Sequence, residues 1–186
     1  SRPVANGSEA VTIAPLDAPF ELKGLLGVPE GARGLVIFAH GSGSGRHSPR
    51  NTHVAEGLRR EGLATLLIDL LTVDEEKVRA NVFDIALLSS RLIAAARWAG
   101  QHPDTRGLTL GYFGASTGAG AALLAAASPD PPVAAVVSRG GRPDLAGADA
   151  LERVRAPTLL IVGGRDEPVI ELNRAAMKHM RGAVDW

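Results

Sequence analysis

Residues 112–120 read YFGASTGAG, with a serine between two glycines where a short apolar run meets an alanine-rich one. The run LTLGYFG (108–114) has the length and composition of a buried strand. The segment TGAGAALLAAAS (117–128) reads as a helix that stops before Pro129. Gly114 and Gly118 flank Ser116 at the G-x-S-x-G spacing. That pattern alone is weak in a chain with 22 glycines. Its strand–turn–helix setting makes it strong. A sharp turn there needs small neighbours, lifts the hydroxyl above the sheet edge, and sets the next amide at a helix N-terminus, where it can receive an oxyanion. The rival reading is a glycine-rich helix start capped by the hydroxyl of Ser116 or Thr117.

Outward from this junction, apolar runs alternate with helical patterns. AVTIAP (10–15) and LKGLLGVP (22–29) read as an opening hairpin. GLVIFAH (34–40), LATLLID (63–69), VAAVVS (133–138) and TLLIVGG (158–164) are continuous apolar runs, as in strands buried on both faces. Helical spacing marks NTHVAEGLRREG (51–62), NVFDIALLSSRLIAAARWAGQHP (81–103), ALERVRA (150–156) and PVIELNRAAMKHMRG (168–182). The alternation predicts an α/β fold over residues 1–186: one domain, with a doubly wound, mostly parallel sheet and helices on both faces. Right-handed crossovers put the strand C-termini on one edge, where sites in such folds collect.

Composition removes several classes of function. Lys+Arg and Asp+Glu both number 20, so no net charge gathers nucleic acid or an anionic membrane. Cysteine is absent, which excludes disulfides, thiolate metal sites and a cysteine nucleophile. Independence from an oxidising compartment favours a cytoplasmic setting. The first 30 residues hold no unbroken apolar stretch of a signal peptide, and Arg91 and Arg97 interrupt the longest apolar segment.

Two further motifs fall after strands. FAHGSGSGRHSPRN (38–51) can supply the second oxyanion amide, with Ser42 as the donor. A dinucleotide loop fails there, because Arg46 stands where the third glycine belongs, and no Gly-Lys-Ser/Thr follows to make a P-loop. Anion binding by the loop amides and Arg46 stays open. His40 reads as a structural strand-end residue, and His47 and His53 as surface residues. In LLIVGGRDEPV (159–169), Asp166 sits where a triad acid belongs, and capping the next helix is compatible with that role. Asp144 in SRGGRPDLAG (138–147) is the rival acid, and Asp69 reads as a strand-end turn residue. Arg139, Arg142 and Arg165 share this edge; ion pairing with Asp144, Asp166 or Glu167, or solvent exposure, is favoured over a substrate anion.

HGSGSGRHSPRN, GYFGASTGAG, VVSRGGRPDLAG and LLIVGGRDEPV, in that order, resemble the α/β-hydrolase superfamily. Within it they resemble the small, cap-less esterases of the dienelactone-hydrolase type. The resemblance runs from about residue 10 to the end. It implies Ser116 as nucleophile, Asp166 as acid, and the Ser42 and Thr117 amides as oxyanion donors. It also implies a small soluble ester as substrate, with no metal or organic cofactor. Dienelactone hydrolase itself uses cysteine, so Ser116 points to the esterase side of the group. In the family an eighth strand follows the last helix, and the loop after it carries the catalytic histidine. Here the chain reads MRGAVDW about where that strand would start, so the last strand and the histidine are expected to be missing. His179 follows Asp166, but a helix from Pro168 would carry it roughly 16 Å from the catalytic edge. The expectation is an impaired esterase whose strand 158–162 is an open edge suited to homo-oligomer pairing. The competing classes are a non-catalytic pseudo-hydrolase or binding module and an anion- or nucleotide-binding domain. Phosphoribosyl transfer finds no support, since no acidic-pair loop for the diphosphate is present.

Overall fold

The computed structural model describes residues 7–15, 19–182 and 184–185; the rest of the expected 1–186 domain lies outside the described residues. The apolar runs form β1 (Glu9–Ile13), β2 (Leu22–Gly27), β3 (Gly34–Ala39), β4 (Ala64–Ile68), β5 (Thr109–Ala115), β6 (Ala135–Arg139) and β7 (Thr158–Ile161). With β8 (Val184–Asp185) they make one sheet of order β1-β2-β4-β3-β5-β6-β7-β8. β1–β2 and β2–β4 pair antiparallel, and all later pairs are parallel. β5 lies centrally between β3 and β6, so Ser116 leaves the sheet at its middle.

Strand alternation builds two cores. Ile37, Leu66 and Tyr112 face one cluster, and their neighbours Phe38, Leu67 and Phe113 face the other. The larger cluster includes residues of α4 (Ile85–Gln101), α5 (Thr117–Ala126), α6 (Ala148–Arg153) and α7 (Glu167–His179). The smaller one lies under α1 (Pro49–Arg60). Helices therefore cover both faces, and among the described residues none is long and apolar enough to cross a membrane.

Three departures from the sequence reading have local causes. The long helix begins at Ile85 rather than Asn81, because the Asp84 carboxylate accepts the Leu87 amide at 3.0 Å and fixes the start. Two single turns precede it, α2 (Val73–Glu76) and α3 (Arg79–Val82), the first closed by a Thr72–Glu75 capping box. Third, the last strand is not missing. Val184 and Asp185 pair parallel with Thr158 and Leu159 as β8. The chain can turn back because Gly182 packs against backbone, where a Cβ would lie 3.0 Å from the Arg155 carbonyl. β7 is thus covered over its first half. Leu159 and Ile161 keep 39% and 45% of their surface exposed.

Arg91, which interrupts the apolar run of α4, is buried and paired. It donates to both Glu75 oxygens at 2.8 and 2.6 Å and to the Leu70 carbonyl at 3.2 Å, with its guanidinium 3.9 Å from the Phe20 ring centroid. The Arg91 hydrogen bonds first, then the Thr72 amide, hold the Glu75 carboxyl down from 4.5 to about 2. A depressed carboxyl stabilises the fold above its unfolded value and loses that contribution as pH falls through the folded one. The stability that this pair contributes is therefore expected to be lost between about pH 4.5 and pH 2. Acid titration of unfolding checks this. Glu75→Gln should flatten that limb, and an unchanged limb contradicts the assignment.

Candidate active site

Ser116 has φ 55° and ψ −127°, and among the described residues no other non-glycine has positive φ. Such a conformation costs about 1–3 kcal/mol and persists only where the surroundings impose it. They do so through close packing. A Cβ on Gly114 would sit 2.5 Å from Ala119 Cα, and one on Gly118 would sit 2.1 Å from the Ala39 carbonyl oxygen. The Ser116 carbonyl accepts from the amides of Ala119 and Arg142, both at 3.1 Å. The capping alternative fails: the Ser116 side chain makes no cap bond, and the Thr117 Oγ1 is buried without a partner among the described residues. The strand–turn–helix expected from GASTG is present, with the serine held in strain at its tip.

The loop after β3 lies against this serine. A Cβ on Gly41 would meet Ser116 Cβ at 2.7 Å and its Oγ at 3.3 Å, so only a glycine lets the backbone come so near. Thr117 is the first residue of α5, where amides have no intrahelical acceptor. Ser42 and Thr117 both line a cavity of about 10 Å³, whose apolar wall includes Leu71, Val82 and Leu88. That is room for roughly one water.

Three contacts around this loop have partners that the sequence reading did not name, although it read His40 correctly as structural. The His40 ring accepts the Leu70 amide on Nε2 at 3.0 Å, which leaves Nδ1 to donate to the Gly41 carbonyl at 2.8 Å. Both ring nitrogens are occupied, so His40 is structural. Asp69 is more than a turn residue: it takes the Arg46 amide at 2.6 Å and ion-pairs with the Arg46 guanidinium. This commits the cation that an anion-binding loop would have used. Arg139 pairs with no acid among the described residues. It donates to Asn51 Oδ1 at 2.7 Å and lies over the Phe113 ring, 5.2 Å from its centroid. Burial, and then the charge of Arg50, push its pKa down from the ordinary arginine value.

Asp166 stands at the start of α7, where its carboxylate accepts the Val169 amide at 3.3 Å. The side chain is exposed, and among the described residues no imidazole bonds to it. The rival Asp144 is engaged by Arg142 through two bonds of 3.0 and 2.9 Å, the ion pair expected there. Arg165 is exposed. His179 ends α7, thirteen residues beyond Asp166, about 20 Å along the helix axis. His47 and His53 are exposed, and the His102 ring lies tilted against Trp98, 4.7 Å between centroids, after α4. Among the described residues no group of three His, Asp or Glu is placed to hold a metal ion.

No family model matches the chain. A solved structure of dienelactone hydrolase from Anabaena variabilis is 55% identical, with a TM-score of 0.90 over 96% of this chain and 83% of that one. The strand order and strained serine elbow define an α/β-hydrolase core, and with this relative the chain belongs to the dienelactone hydrolase family. Est1E from Butyrivibrio proteoclasticus shares the fold at 18% identity, with a TM-score of 0.78 over 95% of this chain and 87% of its own. Two Mycobacterium tuberculosis proteins, provisionally named phosphoribosyl transferases, are 64% identical over 164 residues. The match takes in 88% of this chain but 37% of theirs, so the chain spans little more than a third of the length of these curated relatives.

Proposed function

We propose that the chain carries a serine carboxylesterase site for small soluble esters, working through an acyl-Ser116 intermediate. The observation that carries this reading is the strained, uncapped Ser116 at the β5–α5 turn with the Gly41 backbone against it. Ser116 Oγ attacks the ester carbonyl, and the Ser42 and Thr117 amides receive the oxygen as it becomes negative. The alcohol departs, and water then releases the acyl group. Asp166 is the acid that orients an imidazole and stabilises its charge. Among the described residues no imidazole bonds to Asp166, and none is assigned here as the base that takes the Ser116 proton. Small esters suit a core whose β6–β7 connection holds only short helical turns and so leaves no large lid to bury a long chain. The curated relatives' transferase name finds no counterpart in this chain, which lacks an acidic-pair loop for phosphoribosyl diphosphate.

Exposure to a fluorophosphonate tests the reading by intact mass and peptide mapping. One adduct on Ser116 is expected, absent in Ser116→Ala, with p-nitrophenyl acetate protecting better than the dodecanoate. No adduct on a folded chain, or an adduct elsewhere, contradicts it.

The proposal extends to self-association. Among the described residues Leu160 and Ile161 have no β8 partner, and the exposed Leu159 and Ile161 add apolar surface at that edge. Sedimentation should show weak dimerisation that Ile161→Lys reduces, and a monomer at high concentration opposes it.

A further inference from the structure

We infer that His40 is a positioning residue for the proposed oxyanion amide of Ser42, an inference that rests on the Ser116 reading and adds a side chain to it. The Ser42 amide belongs to the peptide unit whose carbonyl is that of Gly41. A trans peptide unit is planar, so its N–H points opposite to its C=O. Whatever holds the Gly41 carbonyl therefore aims the Ser42 amide. The His40 ring holds it, with Nδ1 donating to the Gly41 oxygen at 2.8 Å. Only one state of the ring can do this. The Leu70 amide donates to Nε2 at 3.0 Å, and a backbone N–H can do nothing else, so Nε2 carries no proton. The proton is then on Nδ1, and the ring is neutral. His40 is 6% exposed, so both bonds are made away from bulk water.

The carbonyl has a second donor, the Ser44 amide at 3.2 Å, in a turn that includes Gly43 at φ 73°. That bond is the longer of the two, and glycine at 41 and 43 leaves the turn easy to rock. The direction of the peptide matters because Gly41 is the residue packed on the serine, where a Cβ would lie 3.3 Å from Ser116 Oγ. Among the described residues the Ser42 amide donates to no other group, which leaves it for a substrate oxygen. The end of β4 thus acts on the site at one remove. The Leu70 amide selects the ring tautomer, and the ring proton fixes the peptide that carries the donor.

Side-chain amides can copy the two ring nitrogens one at a time. His40→Asn puts an N–H near the Nδ1 position and gives up the Leu70 acceptor. His40→Gln puts an oxygen near the Nε2 position and gives up the Gly41 donor. A merely structural role predicts that labelling follows stability in both variants. The proposed role predicts that the two readouts separate. The glutamine variant melts no lower than the asparagine one, yet its limiting rate of fluorophosphonate labelling falls by about 100-fold, as for loss of one oxyanion donor. The asparagine variant recovers most of the parent rate. A folded His40→Gln chain that labels like the parent overturns this inference, and so do two variants that slow equally. If neither variant folds, the parent decides. Its nitrogen-15 spectrum should show His40 protonated on Nδ1, and the Ser42 amide proton should move downfield once Ser116 is phosphonylated. Protonation on Nε2, or an unmoved Ser42 amide in a labelled chain, overturns the inference and leaves the Ser116 reading standing. A parent chain that never labels overturns the Ser116 reading and this inference with it.

Discussion

Hydrolysis of p-nitrophenyl acetate by the 186-residue chain is expected to run about a million-fold below a complete Ser-His-Asp site, and Asp166→Asn is expected to leave that residual rate almost untouched. In a working triad the acid fixes the imidazole tautomer and stabilises its charged form, and its amide variant loses about ten-thousand-fold. Here the Asp166 carboxylate caps the Val169 amide and bonds to no imidazole among the described residues. It therefore has little to lose beyond a helix cap, about 1 kcal/mol of local stability. The proposed oxyanion amides and the strained serine remain, and such parts alone leave roughly a thousand-fold or more over water. The comparison is made with the parent, Asp166→Asn, His179→Ala and His47→Ala under one set of conditions. Ordinary esterase rates in the parent that vanish in His179→Ala would refute the expectation. In that event the end of α7, about 20 Å from Asp166, must fold back or be exchanged between copies to reach Ser116.

What could be read from the sequence was local. The β5–Ser116–α5 turn was legible because its strand, its glycines and its helix are contiguous. Gly114 and Gly118 there each answer a backbone contact of under 3 Å. The sheet was legible because parallel strands buried on both faces leave unbroken apolar runs. The contacts that hold the loop after β3 and the start of α1 were not legible. His40 to Leu70, Arg46 to Asp69 and Arg139 to Asn51 join residues 30, 23 and 88 apart, and no spacing rule reports such pairs. Arg139 in particular invites an acidic partner on charge alone, yet an amide and an aromatic ring receive it. Arg91 was read only as a break in an apolar run, and its burial against Glu75 and Phe20 rests on partners 16 and 71 residues away. β8 escaped because two residues carry no alternation, and the free edge of β7 recruits them.

The second large effect concerns two glycines inside helices. Gly118→Ala is expected to lower stability by at least about 3 kcal/mol, and Gly100→Ala to raise it by about 0.5–1 kcal/mol. Propensity alone would make both substitutions stabilising, because alanine restricts the unfolded chain and favours helix. At Gly100, in α4, an added methyl meets nothing within 4 Å, so propensity decides. At Gly118 the methyl would lie 2.1 Å from the Ala39 carbonyl oxygen and 2.6 Å from that of His40. Both are backbone atoms at the end of β3 and cannot rotate aside. α5 must then retreat from the sheet, and the thermal midpoint should fall by roughly 6–12 °C, against a rise of about 2 °C for Gly100→Ala. The retreat also has a chemical signature. Gly41 touches Ser116 across this same junction, so the loop amides lose their place over the serine. A shift of about 1 Å at a reacting centre costs on the order of a hundredfold in rate. Fluorophosphonate labelling of Gly118→Ala, measured well below its midpoint, should slow by that order, while Gly100→Ala labels at the parent rate. If Gly118→Ala melts and labels like the parent, the close approach of β3 and α5 is not what holds Ser116 in its strained conformation.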